Sequence, residues 1–73
     1  MRRTTDVIAI TVNGRAVEIQ SPMSVQQLLD TVDVPPNYLA VEVNGEVVPR
    51  EVFATVMVSA GDEVEVVTLV GGG

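Results

Sequence analysis

The sequence predicts an α+β domain: a mixed sheet of four to five strands with one main helix packed on one face. Three observations predict it. Apolar residues alternate with period two in separate stretches around Val7–Val12, Leu39–Val43 and Glu63–Val66, the mark of half-buried strands. Asn13-Gly14 and Asn44-Gly45 punctuate them, and this dipeptide suits a hairpin turn that needs positive φ at both central residues. Between the two turns lies a single helical stripe, Val25, Leu28, Leu29 and Val32.

Residues 1–6 are polar and expected to form a ragged start. Val7 to Val12 follows as a strand, with Ile8, Ile10 and Val12 on one face and Ala9 and Thr11 on the other. A return strand from Ala16 to Gln20 turns Val17 and Ile19 inward and Glu18 outward. Ser24-Val25-Gln26-Gln27 has the form of a capping box, and Met23 stands where a hydrophobic staple would meet Leu28. Pro35-Pro36 forbids continuation, so the helix is expected to end near Val32 or Asp33. On the next strand Leu39, Val41 and Val43 share one side, with Glu42 on the other. Val47-Val48 is a short return, and Pro49 marks an edge or a strand end. Glu51 to Ala54 reads as one irregular helical turn, with Phe53 filling a corner of the core. Ala60-Gly61-Asp62 is a turn, and Glu63 to Val70 is the last strand, with Val64 and Val66 inward. If the first and last strands are neighbours, they pair in parallel and pin the base of the C-terminal segment at the sheet centre. One domain over residues 1–73 is expected, without repeat or linker.

Composition narrows the chemistry. A chain of 73 residues has to be economical with its core, and 47% apolar content, mostly Val, Ile and Leu, suffices for one. Cysteine and histidine are absent, and all four basic residues are arginine. The thiolate nucleophile, the imidazole base or ligand and the Schiff-base amine are therefore missing. Such a protein enters chemistry as a substrate more readily than as a catalyst. The carboxylates are scattered without calcium-loop spacing and read as solvated faces, so no metal site is expected. A net charge of −6 argues against nucleic acid and against an anionic membrane surface. No apolar segment is long enough for an export signal or a span, and the expected location is the cytoplasm. Gly14, Gly45 and Gly61 read as turn residues, not phosphate binders. Arg50 is expected to play a local role, beside Glu46 or Glu51.

The sequence closes on Val70-Gly71-Gly72-Gly73. Without Cβ atoms, residues 71–73 are expected to form a flexible arm able to enter a channel too narrow for side chains, carrying a carboxylate outward, the alternative being a merely frayed end. An α-carboxyl titrates at about 3.3–3.7, so near neutral pH it is an anion and a poor electrophile until a leaving group is attached.

Hairpin, helix, further strands and terminal glycines resemble the β-grasp fold of ubiquitin-like proteins, and more closely the sulfur carrier of thiamine biosynthesis, the ThiS family. The resemblance rests on Val12-Asn13-Gly14, Val25-Gln26-Gln27-Leu28-Leu29, Ala40-Val41-Glu42-Val43-Asn44-Gly45, Val48-Pro49-Arg50-Glu51, Gly61-Asp62-Glu63-Val64-Glu65-Val66 and Val70-Gly71-Gly72-Gly73. It spans all but the first six residues. It implies a protein co-substrate, not an enzyme, with no bound cofactor. A ubiquitin-activating-like adenylyltransferase would use ATP to adenylate the Gly73 carboxylate. A persulfide donor of the cysteine desulfurase kind would displace AMP, leaving a thiocarboxylate that gives its sulfur to thiazole synthase. Gly71 and Gly72 would thread the partner's active site. The family's minimal ending is two glycines, so the reactive carboxylate could instead belong to Gly72.

Continuing the alternation of the last strand puts Val67 and Leu69 on the outward face, and with Val70 they are the candidate docking residues. Rival readings share the fold and the tail. They are the small subunit of molybdopterin synthase, a carrier for another thiolated product, and a ubiquitin-like protein modifier. A plain interaction module with inert glycines is a further alternative.

Overall fold

The computed structural model describes residues 6–32, 34 and 37–68. Its elements are β1 (Asp6–Val12), β2 (Arg15–Ser21), α1 (Val25–Thr31), β3 (Ala40–Val43), β4 (Glu46–Val48), a 3₁₀ turn (Arg50–Val52) and β5 (Glu63–Val67). They build a mixed five-stranded sheet in the order β2-β1-β5-β3-β4. The hairpins β1–β2 and β3–β4 are antiparallel, β5 runs antiparallel to β3, and β1 and β5 pair in parallel. The last strand to be made is thus the central one.

Both hairpin turns have the backbone their dipeptides demand, with φ of 52° and 81° at Asn13 and Gly14 and of 54° and 84° at Asn44 and Gly45. Positive φ at two successive residues matches the turn to the twist of the flanking strands. The first ladder opens at Asp6, which pairs with Ser21, so the strand starts inside the expected ragged segment. Backbone pairing carries no requirement for an apolar side chain there.

Ile10, Val12, Ile19, Val41, Val64 and Val66 cover the inner face of the sheet and meet Val25, Leu28 and Leu29 of α1, with Phe53 and Val58 closing the core. Full burial of aliphatic side chains such as Leu28 contributes about 1.5–3 kcal/mol apiece. Phe53 does fill the core from an irregular turn, at 3% exposure. Met23 is half-buried against the same core. One apolar expectation fails: Leu39 is 57% exposed. It precedes β3, which begins at Ala40, and so stands at the rim of the sheet.

The capping box is complete. Gln27 N donates to Ser24 Oγ at 3.1 Å, and Ser24 N donates to Gln27 Oε1 at 2.9 Å. Val25 N and Gln26 N donate to the carbonyls of Val56 and Phe53 at 2.9 and 3.0 Å. With Leu28 N on Ser24 O, all four leading N–H groups of the helix are paired. The helix stops at Thr31 because Val32 turns extended, at φ −91° and ψ 159°. Asp33, Pro35 and Pro36, to which the sequence assigned the stop, lie outside the described residues.

Candidate functional site: the root of the C-terminal segment

β5 carries the chain from Asp62 through the middle of the sheet towards residues 68–73. On one side it is paired with β1 only at Thr11↔Glu63 and Val12↔Val64, after which β1 turns away. Asn13 takes over. Its N–H donates to Val64 O at 2.8 Å, and its Oδ1 accepts from Val66 N at 2.8 Å. The turn asparagine therefore continues the ladder by one more bond with a side chain. Asn44, in the other hairpin, does the same at the strand's entry: its Oδ1 accepts from Glu63 N and its Nδ2 donates to Asp62 Oδ1, both at 3.0 Å.

On the other side β3 accompanies β5 to its end, through Val43↔Val64, Glu42↔Glu65, Val41↔Val66 and Ala40↔Val67. Leu39 N then donates to Val67 O at 2.7 Å. β5 runs to Val67, Thr68 falls outside it, and the remainder of the expected strand, Leu69 and Val70, lies outside the described residues. Of the sequence-derived site residues, only Val67 falls among the described ones. Leu69, Val70, Gly71, Gly72 and Gly73 lie outside them.

Val67 sits half-buried on the face away from α1, opposite Ala40 of β3, and on the same face Val47 of β4, 62% exposed, stands opposite Glu42. Two carboxylates share this face, since Glu42 and Glu65 stand directly opposite each other across the β3–β5 ladder. Like charges at such a position repel. Arg50 does not relieve them, nor does it pair with Glu46 or Glu51. Its Nη2 donates to Tyr38 O at 2.9 Å and its guanidinium lies 4.5 Å from the centre of the Tyr38 ring. Arg50 has the structural role expected of it, but not with the neighbouring Glu46 or Glu51: its partners are the ring and the carbonyl of Tyr38. Sequence reading missed Asn13 and Tyr38 in this setting because each acts on a residue far along the chain.

Among the described residues, no three acidic side chains are grouped to hold a metal ion, and no helix is long and apolar enough to cross a membrane. Among the described residues the site offers a held strand, the half-buried Val67 and the facing carboxylates of Glu42 and Glu65.

The chain is similar to an uncharacterised protein, ycf40, of Porphyra purpurea, at 35% identity over 66 residues covering 90% of this chain and 93% of that one. Similarity to a thiazole synthase of Paramagnetospirillum magneticum is 38% over 64 residues, 88% of this chain but 20% of the synthase. A crystal structure of the thiamine biosynthesis protein ThiS from Geobacter metallireducens matches at a TM-score of 0.75 and 38% identity, covering 90% of this chain and 100% of that one. A solution structure of a Geobacter metallireducens thiamine biosynthesis protein matches at a TM-score of 0.70, with 39% identity over 90% and 88% of the two chains. The ThiS family model matches residues 6–73. The strand order, the single helix and these matches agree, and the chain belongs to the ThiS family, with its ubiquitin-like β-grasp fold.

Proposed function

We propose that this protein is a sulfur carrier of thiamine biosynthesis, a co-substrate whose reactive group is the Gly73 carboxylate. The observation that carries the reading is the central position of β5: in a ThiS-family chain, the strand leading to the glycines is held to Val66 on one side and to Val67 on the other. The body thereby offers a rigid base from which a glycine arm enters another protein's active site.

The chemistry follows from the arm. The carboxylate oxygen attacks the α-phosphorus of ATP bound by an adenylyltransferase, and pyrophosphate leaves. The terminal sulfur of a persulfide donor then attacks the carbonyl carbon and AMP leaves. A thiol cleaves the resulting acyl disulfide at its S–S bond, giving the thiocarboxylate and a new disulfide. A thiazole synthase takes the sulfur, a choice supported by the similarity to the Paramagnetospirillum magneticum thiazole synthase. Val67, with Leu69 and Val70, supplies apolar docking area, and no cofactor stays bound to the carrier. A cytoplasmic location suits the ATP-dependent partners.

The test is intact-mass spectrometry after incubation with the cognate adenylyltransferase, ATP and a persulfide donor. The expected product carries sulfur in place of one terminal oxygen. Deleting Gly73 alone should abolish it; undiminished product would move the reactive carboxylate to Gly72. Failure of the full chain to release pyrophosphate would refute the reading.

A further inference from the structure

We propose that Arg50 is a positioning residue for the C-terminal segment, holding its root through the peptide group between Tyr38 and Leu39. The carbonyl of Tyr38 and the N–H of Leu39 are two ends of one planar unit. Arg50 Nη2 donates to the carbonyl end at 2.9 Å, and the N–H end donates to Val67 O at 2.7 Å. Fixing one end of a rigid plane orients the other, and a carbonyl bonded to a cation polarises its own N–H, strengthening the second bond. The stacking of the guanidinium at 4.5 Å from the Tyr38 ring centre keeps the fork in place. Arg15 and Arg50 are the only cations among the described residues, on a chain of net charge −6. That Arg50 engages a neutral peptide and a ring, with Glu51 adjacent in sequence, marks its geometric role.

Val67 is the last residue of β5, and Leu39 is the bond on its carbonyl. The Arg50 brace therefore fixes the carbonyl at which the chain leaves β5. A fixed exit lowers the entropy lost when an arm is aligned in a partner's site. This rests on the sulfur-carrier reading.

Full-length Arg50→Met and Tyr38→Leu chains test it, the first removing the cation and the second its stacking platform while leaving the cation in place. Both should speed hydrogen exchange at the Leu39 amide about tenfold with the Val64 amide unchanged, and Arg50→Met, whose side chain is exposed, should also keep the melting temperature. Both should raise the KM of the carrier for its adenylyltransferase about three- to tenfold at constant kcat. Unchanged Leu39 exchange in Arg50→Met overturns the proposal. So does a KM that rises in Arg50→Met and not in Tyr38→Leu, which would make Arg50 a direct contact to the partner. If the unaltered chain is not adenylated at all, the sulfur-carrier reading falls, and the exchange measurement still decides the brace.

Discussion

Asn13 and Asn44 each do two jobs. Their backbones take the positive φ of the hairpin turns, and their side chains bond residues of β5 that lie 19 and 53 positions away in sequence. The first job is legible from an Asn-Gly pair, whereas the second depends on where β5 lands. The two can be separated by substitution. Asn13→Gly keeps the turn conformation but leaves the part-buried Val66 N–H without its acceptor. The expected cost is about 1–3 kcal/mol, measured by chemical denaturation. Because Val66 adjoins the exit, its amide should also lose protection against hydrogen exchange.

At the scale of elements, α1 is only seven residues long, too short to persist alone, and its order comes from its surroundings. Its first turn is bonded to the 53–58 segment, and its stripe is buried on the sheet. Ser24, 5% exposed, joins these parts, so Ser24→Ala should destabilise the fold by about 0.5–2 kcal/mol, seen as a lower denaturant midpoint at unchanged m-value. The β3–β5 ladder holds the opposite kind of site. Glu42→Gln removes the repulsion facing Glu65 and should stabilise the protein by about 0.2–1 kcal/mol, an effect that shrinks as salt is added. If this acidic pair also steers a basic partner face, the same change slows association with the adenylyltransferase at low ionic strength.

At the scale of the molecule, stability resides in the sheet–helix core, and the proposed chemistry lies beyond Val67. Deleting Gly72-Gly73 should therefore abolish sulfur transfer and leave the melting temperature within about a degree, since the buried core is built from residues between Ile10 and Val66. A large drop in thermal stability on deletion would contradict the division between body and arm. The same division gives the missing Cys, His and Lys a rationale: the body holds no internal nucleophile to intercept an activated acyl group.

Local rules were enough for the hairpins, the capping box, the inward valines of β1 and β5 and the turn that buries Phe53, because each depends on residues within a few positions of one another. Period-two reading also placed Val67 on the outer face. It misjudged Leu39, and it missed the Asn13 and Asn44 side-chain bonds to β5 and the attachment of Arg50 to Tyr38. These depend on which strand lies beside which, and on where β1 stops while β5 goes on. Alternation says which way a side chain points, but only the assembled sheet decides whether anything lies there to meet it.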